Sequence, residues 1–508
     1  MRREKPSSPD VSGGMPPSWT ALAPGVHVHP DHATLLSLLD RAPFRRAHLI
    51  AWILASGGTF LDGFSVFMLG MAIPLVRQDL ALTATDVGLL GSALLAGAIV
   101  GASVGGRLAD HVGRKPVLIG TMFVAGFAAA AAAAARDAAG LVAALVVLGA
   151  GIGMDFPASS SYIAECMPRR DRGRVMVATI AAQAVGMVVA SRVASTVFSH
   201  TADLGAWRIL FFAAAAVGGA FGLARTLLGE SPRWLMGVGR NREAVRAIAR
   251  FVRDGSEGKE ALEALAARLA DTPVRASRLP SGNRPPGFLA LFHRAYLRRT
   301  VLSTLPWFFM DVATYGVGLF TAVLLSSLHL GQGTRSLSAR LEVLARGSGD
   351  LDVFLLLGFL VGMWAVPRFG RIRMQLAGFL GMAFGAGLLL WATAFPPESP
   401  VHFALVVAGF VVFNLAMNAG PNSTTYILPA ELFPTRLRAT GSGFAAAAAK
   451  GGATLGVFLI PLVQNAFGLR AVLGLLLAAS LLGFGSTWAF RVDDRVRTLE
   501  EHQAADLP

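Results

Sequence analysis

Four ionisable side chains of this 508-residue chain lie inside long apolar runs: Asp62, Asp155, Asp311 and Lys450. Asp311 interrupts "WFFMDVATYGVGLF" (307–320), and Lys450 interrupts "AAAAAKGGATLG" (445–456). A carboxyl held away from water loses part of its preference for the charged form, so it can take up and release a proton near neutral pH. A lone ammonium in the same surroundings suits an anion. A charge at the centre of a bilayer costs about 2.5–3.5 kcal/mol on insertion scales, so such groups usually pair with one another or line a path. A static Asp–Lys pair would account for two of the four. Three acids against one base leaves acids over, which makes Asp62 and Asp155 candidates for carrying protons.

Polar neighbours accompany these charges. Trp307 and Tyr315 are four residues to either side of Asp311, a spacing that puts all three on one helical face. Each offers one donor on an apolar body, though either residue type also serves as an interface anchor. Asn422, in "AGPNSTTY", carries an amide donor, and Gln183 is a lone amide in a run of Ala, Val and Met.

The elements that position these residues follow from hydropathy. The chain is 54% hydrophobic and 15% charged, against roughly 25% charged in soluble domains. A run of about 20 apolar residues crosses a hydrocarbon layer ~30 Å thick. Such runs are expected at 47–72, 87–108, 115–135, 139–163, 174–198 and 207–228, and again at 299–327, 350–366, 373–394, 401–428, 441–463 and 468–490. The fold class is therefore an all-α membrane protein of twelve spans in two six-helix halves, 47–228 and 299–490. A flexible tail (1–46), a charged linker with short amphipathic helices (229–298) and a C-terminal tail (491–508) complete the division. Arginines crowd the loops after spans 2, 4, 8 and 10, which by the positive-inside bias puts both termini in the cytoplasm of a cell-membrane protein. The net charge of +14 is thus a topology signal and not a nucleic-acid footprint.

The two halves repeat one another, as the halves of transporters do. "FLDGF" (60–64) matches "FMDVA" (309–313), "VGR" (112–114) matches "FGR" (369–371), and "SYIAECMPRR" (161–170) matches "TYILPAELFPTR" (425–436). Asp62 is thereby paired with Asp311, Glu165 with Glu431, and Arg170 with Arg436. Other chemistries find no footing. Cys166 is the only cysteine, so neither an internal disulfide nor a thiolate metal cluster can form. "GIG" (151–153) has no βαβ context for a dinucleotide. No nucleophile–base arrangement stands out. "HVHPDH" (27–32) reads as part of the flexible tail. No metal, cofactor, enzymatic activity or nucleic-acid partner is expected.

"GGRLADHVGRK" (105–115), "ESPRWL" (230–235) and "ELFPTRLRATG" (431–441) resemble signatures of the major facilitator superfamily, the second being typical of its sugar porters. A closer resemblance is to the phosphate:proton symporters of that superfamily. It rests on the acid at Asp62, "GIGMDFP" with Asp155, the Trp307–Asp311–Tyr315 series, "GPNSTTY" with Asn422, Lys450 and Gln183. It implies that Gln183, Trp307, Asp311, Tyr315, Asn422 and Lys450 hold phosphate, and that Asp62 and Asp155 handle protons. It further implies that the halves rock around the site. Arg107, Asp110, Arg114, Glu165, Arg170, Glu431 and Arg436 would form a cytoplasmic gate. The chain departs from this pattern at Phe156, where the symporters have a tyrosine, and at Ser65, in place of a second acid. These departures leave a sugar, polyol or organic-acid substrate as the alternative. A monomer in the bilayer, handling protons and one small solute, is expected.

Overall fold

The computed structural model describes residues 30–201, 203–252, 287–327 and 337–492, and their regular structure is entirely helical. A short helix, α1 (Pro30–Arg41), precedes a first span interrupted once, as α2 (Arg46–Ala55) and α3 (Gly57–Asp79). Then follow α4 (Ala84–Val112), α5 (Arg114–Ala134), α6 (Ala138–Cys166), α7 (Arg169–His200) and α8 (Ala206–Ala224). Two short helices, α9 (Pro232–Gly237) and α10 (Asn241–Val252), come next. The second set is α11 (Arg294–Ser327), α12 (Leu337–Phe369), α13 (Arg371–Ala392), α14 (Pro400–Ala419), α15 (Pro421–Leu432) and α16 (Arg438–Phe490). Among the described residues, 11 segments are long and apolar enough to cross a bilayer. The seventh expected span falls on α11, which is 34 residues long. The side chains of residues 315–327 within it, Tyr315 included, lie outside the described residues.

Helix ends follow local chemistry. Thr83 caps α4, its Oγ1 accepting from the Asp86 amide at 3.2 Å while the Asp86 carboxylate accepts from the Thr83 amide at 2.9 Å, a reciprocal capping box. The Asp137 carboxylate accepts from the Gly140 amide at 2.7 Å and starts α6. Gly113 and Gly370, matched by the "VGR" and "FGR" repeat, both take positive φ, 110° and 91°. That conformation suits glycine, and it turns the chain sharply between consecutive spans at equivalent places in the two sets. Gly468, φ 77°, turns the chain between the two spans that α16 contains.

The two sets pack alike. In the first, α3 lies on α7, α4 on α6, and α5 on both α6 and α8; in the second, α11 lies on α16, α12 on α14, and α13 on both α14 and α16. Between the sets, α4 runs along α16 and α7 runs along α12. Two close approaches decide where polar side chains meet. A methyl group on Gly63 would stand 2.0 Å from the Gln183 carbonyl, and one on Gly186 would stand 2.1 Å from the Phe60 carbonyl, so α3 and α7 are nearly in backbone contact. Gly452 gives the matching approach of α16 to α11, 2.3 Å from the Phe308 carbonyl. Small residues at helix interfaces allow such contact in membranes.

Two expectations require correction. The tail is not flexible throughout, because α1 buries Leu35 and Leu36 against α9 and α10, whose Trp234, Leu235 and Ile248 share the same apolar cluster, while Leu39 joins the main core. The eighth span begins earlier than residue 350, since α12 is helical from Leu337 and takes up much of the expected 328–349 loop. Of the two expected linker helices, α10 forms with Ala244, Val245, Ile248 and Phe251 buried. The second, 259–270, lies outside the described residues, as do residues 27–29 of "HVHPDH".

Candidate functional site

The approach of α3 to α7 puts Asp62 beside Gln183, whose Nε2 donates to Oδ2 at 2.8 Å. The same oxygen meets Lys450 Nζ, from α16, at 3.3 Å. Residues of both sets thus converge on one carboxylate, which is buried. Asp311, one helical turn beyond Trp307 on α11, is half-buried and lies in the field of Lys450 and of Asp62. No ion pair joins it to another described residue. Lys450 also lies over the Phe156 ring, 5.1 Å from its centroid, a favourable contact for an ammonium. Phe156 in turn meets the Tyr426 ring edge-on at 6.2 Å, and Tyr426 meets Trp307 at 6.4 Å. The Tyr426 hydroxyl is 3.3 Å from Ser159 Oγ. An aromatic row therefore runs from Lys450 to Trp307 between the two sets of helices.

Asn422 is less directly engaged. Its Nδ2 donates to Asn418 Oδ1 at 2.8 Å, across the break between α14 and α15 at Gly420. Ser65, one turn beyond Asp62, has a buried hydroxyl with no partner among the described residues.

Asp155 is elsewhere, and its expected role as an unpaired acid is corrected. It is fully buried with Arg225, at the end of α8. The two form a close ion pair, and Thr121 Oγ1 donates to Asp155 at 2.9 Å. Counting one base for three acids overlooked Arg225, which reads in sequence as an ordinary arginine flanking a span.

The arginine-rich ends of the spans carry a second cluster. Arg114 Nη2 binds Asp110 at 3.0 Å and Glu165 at 2.9 Å. Arg438 also binds Glu165, at 2.8 Å, and the Ser231 hydroxyl donates to the remaining Glu165 oxygen at 2.5 Å. Asp110 accepts from Thr440 through its amide at 2.8 Å and its hydroxyl at 2.7 Å. Arg114 donates to the Thr435 carbonyl at 2.9 Å. These contacts tie α4, α5 and α6 to the start of α16 and close this end of the bundle. Glu431 binds Arg371 at 2.8 Å. Of the expected gate residues, Arg107, Arg170 and Arg436 are exposed and form no ion pair with a described residue. Arg438 takes the place expected for Arg436. The physical reason is position: Arg436 lies in the turn before α16, whereas Arg438 is its first residue and points at Glu165.

Glu230 of "ESPRWL" accepts from the backbone amides of Ser231 at 2.7 Å and Arg114 at 3.0 Å, placing an acid at the N-terminus of α5, where the helix dipole favours it. Burial pushes the Glu230 carboxyl above its ordinary value, against those amides. Asp40 of α1 binds Arg172 at 2.6 Å and Arg233 at 2.7 Å. Burial alone would raise its carboxyl, but the two guanidiniums outweigh that and hold it below the ordinary value. Asp40 gave no sign in sequence of this role.

A probable inorganic phosphate transporter of rice, Oryza sativa subsp. japonica, is 30% identical over 92% of each chain. The inner membrane metabolite transport protein YgcS of Escherichia coli is 28% identical over 91% of this chain and 95% of its own length. Among solved structures, the major facilitator superfamily proton:xylose symporter XylE bound to 6-bromo-6-deoxy-D-glucose superposes with a TM-score of 0.73. It covers 91% of this chain and 99% of XylE at 19% identity, which establishes the shared fold. The family model for sugar (and other) transporters matches residues 50–505. The chain is a multi-pass integral membrane protein that belongs to the sugar (and other) transporter family, in the major facilitator fold.

Proposed function

We propose that this transporter carries inorganic phosphate together with protons, by alternating access, and that both termini face the cytoplasm. The observation that carries the reading is the cluster of Asp62, Asp311 and Lys450, in which one described base faces two acids. With both acids ionised the cluster repels an entering anion; with one protonated it accepts it, because like charges in a shared site cannot all persist. Anion and proton therefore enter together. The phosphate monoanion takes Lys450 from Asp62, while Gln183, Asn422, Trp307 and Tyr315 supply further donors and Asp311 holds the proton. The buried, unpartnered Ser65 hydroxyl adds a donor close to Asp62. The Asp110–Arg114–Glu165–Arg438 cluster serves as the cytoplasmic gate, and its opening and closing switches the bundle between two states. The rice relative, named as a probable inorganic phosphate transporter, supports the choice of solute.

One observation favours a second reading. The row Phe156–Tyr426–Trp307 beside Lys450 offers an apolar wall next to an ammonium, a surface for an organic carboxylate such as an aromatic acid. A competition panel on the purified, reconstituted chain separates the two, with phosphate, arsenate, sulfate, glucose and benzoate set against a phosphate tracer. Arsenate should compete as well as phosphate does. Benzoate as the stronger competitor would replace the phosphate reading with the second one.

A further inference from the structure

The first span is interrupted at Ser56, within "SGGTF", and two fully buried charges sit on the interruption. Arg225 Nε donates to the Leu54 carbonyl at 2.8 Å and its Nη2 donates to the Ala55 carbonyl at 2.8 Å. These are the last carbonyls of α2, at its end before the break. Nη1 donates to the Leu118 carbonyl of α5 at 2.7 Å. Asp155 faces the other side of the break. A methyl group on Gly58 would stand 1.6 Å from Asp155 Oδ2, so the carboxylate lies against the first turn of α3. A cation at the C-terminus of one helix and an anion at the N-terminus of the next each oppose the local end charge. A carboxylate and a guanidinium in contact also neutralise one another.

This break is tied to the span that carries Gln183. Thr59 Oγ1 donates to the Thr179 carbonyl at 2.8 Å, and Trp52 Nε1 donates to Thr179 Oγ1 at 3.1 Å. Thr59 precedes Asp62 by three residues, and Thr179 precedes Gln183 by four, so both pairs lie about one turn apart along α3 and α7.

We infer that Arg225 and Asp155 act as a positioning pair: they fix the interruption of the first span at Ser56 and so set the register in which α3 presents Asp62 to Gln183 and Lys450. Asp155 is not a proton carrier. Both of its oxygens are held by Arg225, one of them also by Thr121, and protonation would leave a fully buried guanidinium without its counter-charge. The inference rests on the proposed role of Asp62 in coupling, and its test separates the two.

Four variants of the full chain decide it: Arg225→Gln, Asp155→Asn, the double variant, and Arg225→Lys. Each single neutralisation strands a buried charge and should lower folded yield or uptake by about tenfold or more. The double variant restores electrical balance in the pocket, a coupling that a mutant cycle reads directly. It should recover gradient-driven phosphate uptake to within about threefold, with the proton-to-solute ratio of the unmodified chain. A double variant that folds and exchanges phosphate but no longer responds to the proton gradient would overturn the inference, because Asp155 would then be carrying the proton. Arg225→Lys keeps the charge and gives up the planar fork. It should speed amide exchange across residues 57–62 by about tenfold, read by mass spectrometry with no solute present. Unchanged exchange across 57–62 would equally overturn the positioning role. If the unmodified chain takes up no oxyanion, the phosphate reading fails, while the exchange measurement still decides the positioning role.

Discussion

Asp62 and Lys450 are separated by 388 residues of sequence and meet at 3.3 Å, one from each set of six spans. Their contact sits beside a second acid, Asp311, which the internal repeat pairs with Asp62. Among the described residues one base thus faces two related acids, contributed by both sets of helices.

Removing the base should weaken binding strongly. Lys450→Ala leaves Asp62 and Asp311 facing each other without a counter-charge, and truncating one member of a buried charge pair costs about 2–5 kcal/mol. Phosphate affinity, measured by isothermal calorimetry on purified protein, should fall by at least ~30-fold. An unchanged affinity would remove Lys450 from the site.

Phe156 offers a gain-of-function test. Restoring a hydroxyl with Phe156→Tyr adds one donor beside the ammonium that lies over this ring. A hydrogen bond to a charged group contributes about 1.5–3 kcal/mol. The KM for phosphate should therefore fall about tenfold or more, while competition by benzoate weakens. A stronger benzoate effect in this variant would favour the organic-carboxylate reading.

The closure network predicts a measurable opening. Arg107 and Arg436 are exposed, one from each set of helices, and lie at the end of the bundle that Glu165 holds shut through Arg114 and Arg438. Spin labels at positions 107 and 436 should move apart in Glu165→Gln, because the acid that bridges Arg114 and Arg438 is neutralised. Among the described residues Arg438 then has no acid partner and Arg114 keeps only Asp110, so the distance distribution should shift toward longer values in double electron–electron resonance. An unshifted distribution would show that the cluster is not the gate.

Asp40 gives a pH prediction with a definite sign. Its folded value lies below the ordinary 3.8, so the carboxylate stabilises the docking of α1 at every pH above that ordinary value. The contribution is lost as pH falls through the lowered value. Asp40→Asn should destabilise the docked α1 by about 3–5 kcal/mol, the cost of stranding buried arginines. The deficit should be constant from pH 5 to 8. Limited proteolysis near residue 42 at several pH values reads it, and a deficit that varied within that window would contradict the assignment.

Much of this was legible in the sequence. Apart from the eighth, which begins well before residue 350, most spans expected from hydropathy fall within several residues of the helices, because about twenty apolar residues have little alternative but to cross a bilayer as a helix. The repeat foretold more than it first revealed. Its matched residues Arg114 with Glu165, and Arg371 with Glu431, form equivalent ion pairs at 2.9 and 2.8 Å, although the sequence had grouped Glu165 and Glu431 with Arg170 and Arg436. What stayed hidden depends on direction and on packing between distant segments. Arg436 and Arg438 are two residues apart in "TRLRATG", and only the start of α16 decides which faces inward. Arg225 resembles any arginine closing a span until the interruption at Ser56 shows which carbonyls it satisfies. Asp40 acquires its role only when α1 docks on α9 and α10, a tertiary contact with no local signature.

The central claim is that proton and anion enter together at Asp62, Asp311 and Lys450. It is tested most directly by phosphate uptake into proteoliposomes containing the full chain, with and without an inward proton gradient, for the unmodified protein and for Asp311→Asn. The account predicts that the gradient accelerates uptake at least ~tenfold in the unmodified chain, and that Asp311→Asn exchanges phosphate while ignoring the gradient. Uptake by the unmodified chain that is indifferent to the gradient, or an Asp311→Asn variant as responsive as its parent, would contradict it.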